Sequence, residues 1–170
     1  MHLILGDIVQ MQTDAIAVPA HSDLKPCPGI REAVFRAADA RQLAALCARL
    51  GRCPIGSAVV TPSCGLPCRY IIHVAGPGWY SGNKSDRILF ASCYLHALHK
   101  AYVCHCRSIA LPLMFSGEYH LPRAQALSIV SQTVADFERK HPGLDISLVL
   151  YKESIFRLAE KLCTPPGKTS

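Results

Sequence analysis

A chain of 170 residues can bury one substantial core and has little room for two. Half of its residues are hydrophobic and 18% are charged, which excludes extended disorder and suits an α/β protein whose sheet is covered on both faces. Eighteen Lys and Arg against twelve Asp and Glu give a formal charge of +6, which favours anionic ligands.

The basic residues are scattered, with no run of five or six, so a nucleotide-sized anion fits better than a nucleic-acid groove. RNA stays open as a partner, and a plainly solvated basic surface is the competing reading. Nine cysteines would suit a disulfide scaffold in a small secreted protein. The apolar start, Met1 to Asp7, is too short for a signal peptide, and no apolar run reaches membrane-spanning length. The expectation is reduced cysteines, a cytoplasmic protein and no membrane.

Residues 2–5 read as a short strand stopped by Gly6 and Asp7, and residues 8–12 as a brief connection into a second strand, 15–18, that ends at Pro19. Pro26, Pro28 and Gly29 then break the chain before the apolar spacing becomes helical. The spacing predicts one helix over 29–50, with Ile30, Val34, Ala37, Ala38, Leu43, Leu46 and Leu50 as its buried stripe and Gly51 ending it. This strand–loop–helix unit organises the chain. The first turn of a helix leaves backbone N–H groups unpaired and adds positive potential, a combination that suits a phosphate. A plain connection without ligand is the competing reading.

Residues 57–62 and 70–75 are β-rich runs joined by a Gly- and Pro-containing turn, and they predict an antiparallel pair. A loop over 76–84 precedes a helix over 86–104, with Ser85 and Asp86 as candidate caps. Residues 108–112 predict a buried strand. Pro122 opens a helix through His141, residues 144–150 predict the last strand and 154–162 the last helix, and the polar tail 164–170 reads as loose. The alternation predicts one domain over 1–163: a three-layer α/β/α sandwich on a mixed sheet of about six strands. Loops 19–30 and 113–122 then face the same ligand side.

Asp7 can accept from an exocyclic amine such as that of adenine, or simply bond its own turn. Gly29 and Gly117 permit close backbone approach to phosphate, or serve as turn glycines. Phe115 and Tyr119 flank Gly117, and either ring can pack on a ribose. The cluster His96, His99, Cys104, His105 and Cys106, with Cys64 and Cys68, lacks a second closely spaced pair for tetrahedral zinc and reads as an ordinary packed helix and loops. No cofactor is expected. Nucleophilic catalysis by Cys27 or Ser116 beside His21 or His120 is possible on paper only.

Six segments follow one another in the order and spacing of a macrodomain: Leu5-Gly-Asp-Ile8, Asp14-Ala-Ile-Ala-Val-Pro-Ala-His21, Gly29-Ile-Arg-Glu-Ala-Val-Phe-Arg-Ala-Ala38, Gly56-Ser-Ala-Val-Val-Thr61, Tyr70-Ile-Ile-His-Val-Ala-Gly-Pro77 and Ser116-Gly-Glu-Tyr119. The chain resembles the stand-alone bacterial members of that family over residues 3–163. The resemblance implies binding of ADP-ribose, free or on an ADP-ribosylated protein. It also implies possible hydrolysis of ADP-ribosyl linkages or of O-acetyl-ADP-ribose.

Carried over by position, the resemblance sets Asp7 at the adenine amine and Ile8 at the adenine pocket. Pro28, Gly29 and Ile30 would form a first phosphate loop. Ser116, Gly117, Glu118 and Tyr119 would form a second, with Tyr119 near the distal ribose.

There are departures from the family pattern. The family's Asn-Ala-Ala-Asn is Val18-Pro-Ala-His21 here, so an imidazole replaces the asparagine that orients the distal ribose. His21 can still make one hydrogen bond, and it is the one candidate catalytic group. The family's run of glycines is Pro26-Cys-Pro-Gly29, which removes two backbone donors. Arg31 stands where many hydrolytic members place an aspartate. It cannot act as a general base, but it can pair with a diphosphate. These departures favour binding over hydrolysis.

Overall fold

The computed structural model describes residues 1–78, 81–116 and 120–163. Six strands form one sheet: β1 His2–Leu5, β2 Ala15–Ala20, β3 Ala58–Pro62, β4 Tyr70–Ala75, β5 Ser108–Pro112 and β6 Asp145–Leu150. The order across the sheet is β1-β6-β5-β2-β4-β3. All neighbours are parallel except β3, which pairs antiparallel with β4 as its turn-linked sequence predicts.

Among the described residues five α-helices cover the sheet: α1 Ile30–Ala37, α2 Ala40–Leu50, α3 Lys84–Val103, α4 Arg123–Lys140 and α5 Glu153–Cys163. Alternation along β2 explains the layers. Ala15 and Ala17 point into a core shared with Cys93, Ala97 and Ala101 of α3 and with apolar residues of α4, whereas Ile16, Val18 and Ala20 point into a second core with Val34 of α1 and Leu43 of α2. The result is an α/β/α sandwich with α3, α4 and α5 on one face and α1 and α2 on the other.

Four sequence-based boundaries are corrected. The helix expected over 29–50 is two, because Ala38 is extended (ψ 174°) and Asp39 caps a new helix by accepting from Gln42 N at 3.0 Å. Ala37 and Leu50 of the expected stripe are exposed, and Phe35 is buried instead. The cap of α3 is Asn83, not Ser85 or Asp86. Residues 8–10 form one turn of 3-10 helix.

The fourth correction bears on the site. Strand β2 continues through Pro19 to Ala20, paired with β4 all the way. Its pairing with β5 stops at Ile16↔Ala110, although β5 runs on to Pro112. Proline cannot donate to a ladder, and here it lies where one flank of the strand has already lost its neighbour. The two central strands therefore part at their carboxyl ends. The chain leaves β2 toward β4 on one side and returns to β5 on the other, so this parting lies at the topological switch point of the sheet.

Candidate functional site

The loops after β2 and β5 both start at this crevice. The first, residues 21–29, is held by bonds within itself and one from outside: Leu24 N donates to His21 O (3.0 Å), Lys25 N donates to the Asp23 carboxylate (3.1 Å), and Cys53 N donates to Ser22 O (2.8 Å). The bond from Lys25 N holds the Asp23 carboxyl below its usual range. Leu24 is buried with a positive φ of 58°. Gly29 ends the loop at φ 91°, ψ −140°, a conformation only glycine adopts cheaply, and it starts α1 with no side-chain cap. The first intrahelical bond is Ala33 N to Gly29 O (3.1 Å), so the N–H groups of Ile30, Arg31 and Glu32 precede the ladder. Pro28 and Gly29 are exposed, Ile30 is half-buried, and His21 is exposed at the head of the loop.

Arg31 is not where the sequence suggests. The sequence offers it to a diphosphate; instead it is 1% exposed and turned beneath the loop. Its Nε donates to Lys25 O (2.8 Å) and its Nη2 to Leu24 O, with Cys47 Sγ at 3.6 Å. Nη1 lies 2.9 Å from His73 Nδ1, and the Phe35 ring stacks under the guanidinium at 4.9 Å. A guanidinium has no acceptor, so His73 Nδ1 must be the unprotonated nitrogen, and Nε2–H donates to Thr61 Oγ1 at 2.8 Å. Burial, reinforced by the Arg31 charge, pushes the His73 pKa down to about 3, so the ring is neutral. His73 and Thr61 went unnoticed in the sequence. The available signal was a polar residue inside the apolar strand Tyr70–Ala75, which demands a buried partner.

Asp7 follows β1 and caps the 3-10 turn by accepting from Val9 N (3.2 Å) through Oδ1, the turn role allowed for it. Its Oδ2 carries no bond among the described residues. Ile8 is 93% buried against the α1 side of the sheet, leaving only an edge for any ligand.

Beyond β5, Phe115 has φ 67° and packs on Phe90 with ring centroids 5.2 Å apart, and Ser116 is half-buried. Leu121 N donates to Phe115 O (3.3 Å). Gly117, Glu118 and Tyr119 lie outside the described residues, as does the tail 164–170. Among the described residues no cluster of His, Cys, Asp or Glu could hold a metal ion. All nine cysteines are free thiols, and burial pushes Cys68 and Cys106 to about 11 and Cys93 to about 12.

The Macro domain family model matches residues 18–130, from the end of β2 through both loops to the start of α4. The chain belongs to the Macro domain family. It is 37% identical over 172 residues to an O-acetyl-ADP-ribose deacetylase of Escherichia fergusonii, covering 98% of this chain and 97% of that protein. It is also 37% identical over 145 residues to a macro domain-containing protein of Chlorobaculum tepidum, covering 85% and 84%.

Among solved structures, the Oceanobacillus iheyensis macrodomain with ADP superposes with a TM-score of 0.88 at 28% identity, over 94% of this chain and 87% of that one. The Trypanosoma brucei macrodomain in complex with ADP-ribose gives 0.86 at 27% identity, over 94% and 67%. Macrodomain membership accounts for the mixed six-stranded sheet and for the order of the six segments. No helix among the described residues is long and apolar enough to cross a membrane.

Proposed function

We propose that this macrodomain binds ADP-ribose, or a closely related ADP-ribosyl nucleotide, free or protein-linked, in the crevice between β2 and β5. The observation that carries this reading is the parting of those strands beyond Ile16↔Ala110, with the uncapped start of α1 on the rim. The diphosphate sits on the N–H groups around Gly29 and Ile30, adenine lies toward Asp7 and Ile8, and the distal ribose lies toward His21. We assign further ligand contacts to Ser116, Gly117, Glu118 and Tyr119, which follow β5 in the chain. Similarity to macrodomains solved with ADP and with ADP-ribose supports the ligand class. Nine free thiols support a reducing, cytoplasmic setting.

Calorimetric titration with ADP-ribose tests this. Asp7→Asn is the informative variant, because its amide oxygen still accepts from Val9 N and keeps the cap, while its NH2 replaces the acceptor offered to the adenine amine. The expected outcome is an unchanged melting temperature and affinity weakened about tenfold, the loss of one hydrogen bond to a charged acceptor. No heat with the wild type at saturating ligand rejects the reading. Salt-sensitive RNA binding without competition by ADP-ribose would replace it with an RNA-binding one.

A second reading, hydrolysis, is favoured by near full-length similarity to relatives named O-acetyl-ADP-ribose deacetylase. Arg31 supplies no base, so a bound water would be activated by substrate phosphate or by His21. Acetate release from O-acetyl-ADP-ribose that falls with His21→Ala supports turnover; binding without release leaves a pure binder.

A further inference from the structure

Arg31 is a buried cation with no buried anion beside it among the described residues. Its donors go to two carbonyls, one imidazole and one thiol, and no carboxylate is paired with it among the described residues. Glu32, the acidic neighbour in the first turn, is exposed and pairs with Arg36 at 3.0 Å. His73 cannot supply the missing charge, being neutral and itself wedged between Arg31 and Thr61. A desolvated charge is ordinarily compensated, and its field reaches farther in a protein interior than in water. Here the carbonyls it holds, those of Leu24 and Lys25, belong to the loop that ends at Gly29.

From this we infer that Arg31 is a positioning residue with a second, electrostatic role: its guanidinium clamps the 21–29 loop to β4 through His73, and its uncompensated charge draws the ligand's diphosphate without touching it. The inference rests on the proposed site, and it deepens that reading by making the affinity depend on ligand charge. The side chain that replaces the family's acid thus serves binding from beneath the loop.

The test measures three ligands on each protein: ADP-ribose, inorganic pyrophosphate and adenosine. Two variants separate charge from shape. Arg31→Gln removes the cation. Cys47→Asp places a carboxylate against Nη2, neutralising the cation while leaving the clamp in place, and it remains informative if Arg31→Gln fails to fold.

In Cys47→Asp, ADP-ribose and pyrophosphate should weaken about tenfold while adenosine is unchanged, the size expected of one buried charge acting on a dianion across a loop; in Arg31→Gln, which also loosens the clamp, both should weaken about tenfold more than adenosine does. Arg31→Lys should keep the charge dependence and weaken all ligands modestly, because a single ammonium cannot hold both carbonyls and the imidazole. Equal losses for all three ligands in Cys47→Asp, or no loss, overturn the electrostatic role. If the wild type binds pyrophosphate in an Arg31-dependent way but not ADP-ribose, the inference survives and the proposed ligand fails. If ADP-ribose binds and neither variant alters its preference over adenosine, the reverse holds. Binding of neither ligand overturns both.

Discussion

His73 shows how one side chain ties stability to pH. In the unfolded chain an ordinary histidine takes up a proton near pH 6.5; in the fold, burial and the Arg31 guanidinium hold its pKa at about 3. Below pH 6.5 the unfolded state therefore binds a proton that the folded state refuses, so stability is full above pH 6.5 and declines as the pH falls toward 3. The slope is at most about 1.4 kcal/mol per pH unit. His73→Leu removes that slope but leaves Arg31 Nη1 and Thr61 Oγ1 unpaired, at a cost of about 2–4 kcal/mol at pH 7. Urea unfolding at pH 7.0, about 5.5 and about 4.5 checks this: the gap between wild type and variant should narrow as the pH falls. A gap that stays constant would mean that His73 titrates normally in the folded protein. The carboxylates Asp14 and Asp23, whose pKa values are also lowered, titrate in both proteins and cancel in the difference.

Helices and strands were legible where burial imposes a period, and less so where a single hydrogen bond sets a boundary. The apolar spacing of residues 30–50 runs through Ala38 without interruption, so it reads as one helix. What divides it is local chemistry: Asp39 accepts from Gln42 N, and its own N–H donates to Cys64 O at 2.7 Å. An aspartate three residues before a glutamine is a start signal that the period hid. Asp39→Ala should cost about 1 kcal/mol, seen as a melting temperature lower by about 2–4 °C with ADP-ribose affinity unchanged. A loss of affinity would mean that the break between α1 and α2 also sets the loop above it. The two loops beside the crevice were legible because Pro and Gly mark them, and the family resemblance rests on the same segments. The direction of Arg31 was not legible, since the partners that draw it inward come from residues 24, 25, 47 and 73, which only the fold assembles. Likewise Pro19 looked like the end of a strand, and only the pairing pattern shows it continuing along an opened flank.

At the scale of the molecule, a crevice between two parting strands needs something to hold its far walls in register. Gly76 and Phe115 do this. Strand β4 runs into Gly76, whose N–H donates to Ala20 O at 3.2 Å and so extends the β2–β4 pairing past the crevice. Phe115, from the loop after β5, lies directly over Gly76, where a Cβ would stand 2.1 Å from ring carbon Cε1 and 2.7 Å from Cδ1. The loop from one side of the crevice is thus anchored on the strand from the other, and only a glycine lets it approach. The ring is 3% exposed and backed by Phe90, so it cannot swing aside freely. Gly76→Ala should cost about 1–3 kcal/mol, as overpacking of a filled core does. It should also weaken ADP-ribose binding, because the displaced Phe115 immediately precedes Ser116. Adding Phe115→Leu removes the clashing ring carbons, and the double variant should be more stable than the sum of the two single losses predicts. A thermal-melt double-mutant cycle with a parallel calorimetric titration reads both effects. Additive losses in stability would show that the contact does not join the two walls. Recovered stability without recovered affinity would confine its role to the core.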